Sequence, residues 1–215
     1  IPSGQFMMGD RHIGYDIGAA AITRLLSARF GAAAVLAGTS RLVIDCNRNF
    51  TNPTLIPEVS DRTDVPANVG LAAAERQARI DRYFEPYHHA ADLMVARATA
   101  AGRRPLVVSI HSMTDRMAGI HRPWQIALSS AGDRRMADPV LAALRRNDRL
   151  TVGDNEPYSM DPAQDYSIAR HALIHALDYV QVEFRQDEVA TAEGQAAYAN
   201  IFAEALAASG VLSGR

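Results

Sequence analysis

The sequence predicts an α/β fold: a three-layer arrangement with helices on both faces of a mixed or parallel sheet. Three observations carry that expectation. Strand-like and helix-like patterns alternate almost throughout the chain, the mark of a sheet wrapped by helices. Leu106-Val107-Val108-Ser109-Ile110 sets four apolar residues around one Ser, as a buried strand does, and it ends in His111-Ser112-Met113-Thr114. The 215 residues, 48% of them hydrophobic, suffice for one sizeable core and are short for two, so residues 1–215 are expected to form one domain.

Taken in order, Ile17, Ala21, Leu25 and Ala28 recur at helical spacing, predicting a helix to about Arg29 with Gly31 as its stop. Asp16 stands at or near its N-cap, where it can accept backbone N–H groups or, beside His12, point at a metal. Short strands are expected over 33–37 and 41–45, the second running into Cys46-Asn47-Arg48. Asn and Arg side by side beyond a strand can jointly hold a carboxylate; the other partner for Arg48 would be Asp45 or Asp61. Residues 49–70 turn to Asn, Pro, Thr and Asp without periodicity. They read as a long ordered loop whose 60–63 and 66–68 segments cover the site.

A long helix over 71–101 carries Ile80, Phe84, Tyr87, Leu93 and Met94 on its apolar face, closes at Gly102, and should be interrupted at Pro86. His88 and His89 point about 100° apart on such a helix, so they cannot both serve one metal. After the His111 strand come a connection over 115–122 and a strand at 124–128. A helix at 133–146, a short strand at 150–152 and a polar loop at 153–159 follow. A short helix from Ser167 to Ala176, a strand at 179–185 and an amphipathic helix at 191–208 complete the pattern. The chain begins without Met and without a strand before its first helix, and an N-terminal segment is expected to precede it.

Composition narrows the function. A formal net charge of −2 with interspersed signs offers no nucleic-acid-binding face and no anionic-membrane patch. No apolar run approaches the roughly 18 residues of a membrane span, and the start is not a signal peptide. The expected ligand is therefore a small molecule. All 22 basic residues are Arg, which removes lysine Schiff-base chemistry and leaves the guanidinium as the fixed cation for gripping carboxylates. A lone Cys46 forms no intrachain disulfide and no thiolate metal cluster, which fits a reducing cytoplasm. Gly14-x-x-x-Gly18 lacks the spacing and the Lys of a phosphate loop.

Two residues carry the candidate chemistry. His111, where a parallel strand ends, is placed to ligate a metal or move a proton, or else to bond a loop carbonyl. Glu183, on a strand among apolar neighbours, is costly to bury; either Arg185 on the same side of the pleat pairs with it, or it is a general base that deprotonates a metal-bound water. Together with Asn47 and Arg48 they describe a zinc hydrolase acting on a small acidic amide.

The chain resembles the N-formylglutamate amidohydrolase family, relatives of the zinc carboxypeptidases. The stretches that carry the likeness are His12-Ile13-Gly14-Tyr15-Asp16, Ser40-Arg41 with Asp45-Cys46-Asn47-Arg48, and Thr54 to Pro57 with Ser60-Asp61. They continue through Ile110-His111-Ser112, Gly153-Asp154-Asn155, Tyr166 to His171, and Glu183 to Asp187. The resemblance implies a phosphorylase/hydrolase-like fold, a single zinc ion and release of formate from N-formyl-L-glutamate. It implies His111 as a metal ligand, Glu183 as the base and Arg48 as the carboxylate anchor. Asp16, His12 or an upstream residue is left to complete the metal shell, His111 is also a catalytic candidate, and Asn47, Arg185, Arg170, His171 and Asn155 are the further candidates around the substrate. The family normally opens with a strand bearing a further His that looks like the first metal ligand, and this sequence has no such strand. Two other readings stand beside it: a non-catalytic protein that binds an acidic small molecule, keeping Asn47-Arg48 without metal chemistry, and a metallocarboxypeptidase with the same residues acting on peptide C-termini.

Overall fold

The computed structural model describes residues 13–213. Its helices are α1 (Ala19–Phe30), α2 (Ala73–Arg79), α3 (Glu85–Ala100), α4 (Ala137–Leu144), α5 (Tyr166–His171) and α6 (Ala192–Ala208). Four strands, β1 (Leu106–Met113), β2 (Ile126–Ser129), β3 (Val152–Asp154) and β4 (Asp178–Arg185), form one sheet in the order β1-β4-β2-β3. β1 and β4 run parallel, β4 and β2 antiparallel, and β2 and β3 parallel, so the sheet is mixed, as the sequence predicts.

The alternation of β4 sorts the two faces. Val180, Val182 and Phe184 are fully buried among Ile22 and Leu26 of α1, Val140 and Leu141 of α4, and Tyr198 and Phe202 of α6. Tyr179 points the other way, into a smaller cluster with Val107, Val95 of α3, Ile168 of α5 and Ala172 just after it. Helices therefore cover both faces. Farther along the second face the apolar residues give way to Ser109 and Gln181, then to His111 and Glu183, and there the site opens.

Several elements differ from the sequence expectation. Residues 33–37 and 41–45 form no strand. The first segment is mostly exposed and has no ladder partner among the described residues, and a strand needs one. In the second, Ser40 takes over: its hydroxyl accepts from Leu42 N and its carbonyl from Val43 and Ile44 N, winding the chain into a turn that still buries Leu42 and Ile44. α1 starts at Ala19 after a left-handed Gly18, and Asp16 is not its side-chain cap.

The long helix is broken by a π turn at Ile80–Phe84, where Glu85 N reaches Ile80 O. The extra residue absorbs the missing N–H of Pro86 one position later. The helix predicted over 133–146 is regular only at 137–144, and that over 167–176 splits into α5 and a 3-10 turn at Leu173–His175. β2 and β3 each begin two residues later than their patterns suggest. The 49–70 loop is ordered by Asn side chains. Asn52 Oδ1 accepts from Thr54 N at 2.8 Å, and buried Asn68 donates to Leu42 O and Pro57 O at 2.7 Å each.

Phe184 is wholly buried edge-on to Tyr198 and Phe202, with centroids 6.3 and 6.1 Å away. Phe184→Ala is expected to lower the unfolding free energy by about 4 kcal/mol in denaturant titration, while Leu25→Ala on the half-exposed face of α1 costs under about 1 kcal/mol.

Candidate active site

β1 and β4 place His111 directly opposite Glu183 in their parallel register. Beside Glu183 on its other flank stand Ala127 and then Gly153, so small residues leave room over the carboxylate. A Cβ at Gly153 would come within 2.8 Å of both Ala127 Cβ and Glu156 O, which fixes glycine there. A cavity of about 610 Å³ opens over this end of the sheet, and its walls include Asp16, Asn47, Arg48, His111 and Glu183. From the loop over 49–70, Thr54, Pro57 and Val59 to Asp61 reach it; Arg62, Thr63 and the 66–68 turn do not.

Charge is organised as a chain. His111 Nδ1 lies 2.7 Å from Asp16 Oδ2, and its Nε2 is 3.0 Å from Ser109 Oγ. Asp16 Oδ1 is 3.9 Å from Arg41 NH1, and Arg41 grips Asp45 Oδ2 through Nε at 3.1 Å and NH2 at 2.7 Å. Asp45 Oδ1 then accepts from Asn47 N at 2.9 Å, so the chain runs from the imidazole to the turn that carries Arg48. Among the described residues Glu183 accepts no hydrogen bond, although it is only 6% exposed.

These contacts set the proton affinities. Burial pushes the Glu183 carboxyl up to about 7; the His111 charge opposes this and that of Asp16 adds to it. Burial alone would lower His111, but the hydrogen bond and charge of Asp16 outweigh it and raise the imidazole to about 9. Asp16 is the converse: burial opposes its charge, yet His111, Arg41 and the Ser112 backbone N–H hold it below the usual carboxylate range. Cys46 is buried and pushed up to about 12, which keeps its thiol protonated and unreactive.

The remaining sequence candidates fall elsewhere. His12 lies outside the described residues. Asn47 lines the cavity, but its amide ties α5 to the turn, donating to Asp165 Oδ1 at 3.3 Å and accepting from Ser167 N at 3.0 Å. Arg48 is held by Gln164 O at 2.8 Å, Asn47 O at 3.1 Å and Thr54 Oγ1 at 3.3 Å, and no carboxylate among the described residues pairs with it; Asp45 belongs to Arg41. Asn155, Arg170, His171 and Arg185 are not on the cavity wall. Asn155 accepts from Ser130 N in its loop.

Arg170 pairs with Asp92, and His171 stacks on the buried His88, their ring nitrogens 2.8 Å apart. Arg185 bonds Asp187 and Glu188 rather than Glu183, so the alternative Glu183–Arg185 pair does not form. His88 reaches Cys46 O, not the cavity; burial, then the charges of His171 and Arg170, lower it to about 3. Sequence reasoning missed Arg41, Asp45 and Gln181. Gln181 was within reach, sharing the pleat side of Glu183 two residues before it; the Arg41–Asp45 spacing carries no distinctive signal.

As a metal site the described residues are incomplete. No three His, Cys, Asp or Glu side chains among them gather around a point that could hold an ion. What is present is one imidazole held by a carboxylate at Nδ1, with Nε2 facing Ser109 Oγ at 3.0 Å.

With Asp16 replaced by Asn, the main group that raises His111 is gone, and burial with the Arg41 charge opposes what the Glu183 charge still adds. In metal-free protein the His111 titration, followed by NMR, is expected to fall clearly from about 9.

The comparisons with known proteins follow this geometry. The family model for N-formylglutamate amidohydrolase matches residues 5–190. No curated protein matches the chain. The crystal structure of gene product Atu2144 from Agrobacterium tumefaciens superposes with a TM-score of 0.90 at 36% identity, over 94% of this chain and 80% of that one. N-formylglutamate amidohydrolase from Ralstonia eutropha shares the fold, with a TM-score of 0.58 at 19% identity over 89% of this chain and 80% of that one. The chain belongs to the N-formylglutamate amidohydrolase family, hydrolases of amide C–N bonds.

Proposed function

We propose that the chain hydrolyses the formyl amide of N-formyl-L-glutamate, or of a closely related N-acyl amino acid, to formate and the free amino acid. The observation that carries this reading is the juxtaposition of Glu183 and His111 in register inside one cavity whose wall also bears Arg48. Arg48 is the anchor for a substrate carboxylate, its planar fork matching two oxygens and its charge uncompensated by any described carboxylate.

Glu183 acts as the general base. Deprotonated, it takes a proton from a water molecule, whose oxygen attacks the formyl carbon; the same proton then passes to the amide nitrogen as the C–N bond breaks. Burial tunes the carboxyl toward neutrality, where a base both holds its proton long enough to return it and loses it readily enough to begin. Asp16 fixes the orientation of His111, and Arg41 balances Asp16 from behind.

A zinc ion is proposed as the assisting group, with His111, Asp16 and His12 the donors named from the sequence; as placed, Asp16 meets His111 at Nδ1 and orients the imidazole rather than facing an ion at Nε2. The described side chains fit it only in part, so the steps above are assigned to the chain's own groups. When bound, such an ion polarises the amide carbonyl and makes its water more acidic.

Because Glu183 must be ionised to act, and burial keeps its proton on up to about pH 7, kcat/KM for N-formyl-L-glutamate should climb through that pH and level off above it. Glu183→Gln should lose about 10³-fold in kcat with KM little changed, by steady-state assay of formate release. Metal analysis of purified protein is expected to give one zinc per chain, and chelation should abolish turnover until zinc is restored; a folded, metal-free protein with full activity would remove zinc from the reading.

A further inference from the structure

Arg122 is the feature that the reaction as described does not use. It follows the small hairpin of Arg116–Met117 and Ile120–His121, is 7% exposed, and forms part of the cavity wall. Its NH2 donates to Tyr158 Oη at 2.7 Å and its NH1 to Thr114 O at 3.4 Å, and the guanidinium lies 4.8 Å from the centre of the Tyr158 ring. No carboxylate among the described residues is within ion-pair distance of it. The comparably enclosed Arg79 and Arg185 each hold an acid, Glu75 for the first and Asp187 with Glu188 for the second.

A guanidinium taken out of water with only neutral oxygens and a ring for company is costly to keep. Tyr158 orients it without neutralising it. Arg48 on the same cavity is only half-buried but likewise meets only neutral oxygens among the described residues, so the hollow contains two fixed cations without described counter-ions. A ligand that satisfies both carries two negative groups.

We propose that Arg122, positioned by Tyr158, is a second anion subsite that takes the side-chain carboxylate of a dicarboxylic substrate and makes the enzyme select acidic over neutral N-acyl amino acids. The proposal rests on the amide-hydrolase reading for its substrate. It assigns the discrimination to one residue that neither the pleat nor the turn chemistry of the sequence marks out.

The test compares N-formyl-L-glutamate with N-formyl-L-glutamine, which has the same shape without the charge, in the wild type, Arg122→Met, Arg122→Lys and Tyr158→Phe. The wild type should favour the glutamate compound by about 100-fold in kcat/KM. Arg122→Met should erase that preference by raising KM for the glutamate compound alone, Arg122→Lys should keep part of it, and Tyr158→Phe should weaken it by about 10-fold. Thermal melting guards against misfolding: removal of a buried, unpaired charge leaves the melting temperature unchanged or higher, whereas a structural role for Arg122 lowers it.

Calorimetry with glutarate and butyrate supplies a readout independent of turnover. Glutarate should bind the wild type at least about 10-fold more tightly than butyrate, with the difference lost in Arg122→Met. Equal binding of the two acids to the wild type, or an equal loss for both substrates in Arg122→Met, overturns the subsite. If glutarate is preferred through Arg122 but no N-acyl amino acid is hydrolysed, the subsite stands and the amide-hydrolase reading falls.

Discussion

The parallel pairing of β1 with β4 is the constraint on which the site depends. One face of that pair carries Val180, Val182 and Phe184 into a core shared with α1, α4 and α6, and a one-residue slip would turn all three toward the cavity. Burial of that apolar row therefore locks the register. Locking the register is what brings Glu183 opposite His111, with no interaction between the two needed to hold them there.

The same arrangement explains why the carboxylate is unusual. A strand position enclosed on both flanks strips Glu183 of water, and small neighbours at Ala127 and Gly153 provide no donor to replace it. The imidazole opposite is not free to serve as that donor, because Asp16 has claimed Nδ1 and Ser109 Oγ lies 3.0 Å from Nε2. The fold thus sets two acids on either side of one imidazole and drives their proton affinities apart, Asp16 down and Glu183 up. Divergence of this kind is how a protein obtains a stable anion and a working base from similar side chains.

Support for the substrate side is built from turns rather than from the sheet. Ser40 winds residues 41–45 into a turn, Arg41 and Asp45 clamp it, and Asp45 in turn holds the backbone of Asn47. Asn47 reaches across to α5, so the arginine that follows it is placed by contacts between segments about 120 residues apart. Family membership and the close likeness to the Agrobacterium tumefaciens structure agree with this architecture. The histidines around α3 and α5 have a separate role: His88 and His171 tie those helices together, and His88 bonds Cys46 O, which steadies the Asn47–Arg48 turn from outside the cavity.

Local pattern determined much of this protein. The apolar run before His111, the period of α1 and α6, the break near Pro86 and the discomfort of Glu183 in a strand all follow from periodicity and residue chemistry, and the motif stretches already pointed to the family. Tertiary structure alone decided the rest. Alternating Leu42 and Ile44 read as a strand, but Ser40 offered the backbone nearer partners; Arg185 sat on the right side of the pleat for Glu183, but Asp187 and Glu188 were closer. Arg170, His171 and Asn155 share sequence stretches with the site and still face other contacts, while Arg41, quoted in a motif stretch without a role, and Arg122, unremarkable in the chain, stand on its wall. Spacing along a chain reports which face a residue occupies, whereas the partner it meets there depends on segments that folding brings from far away.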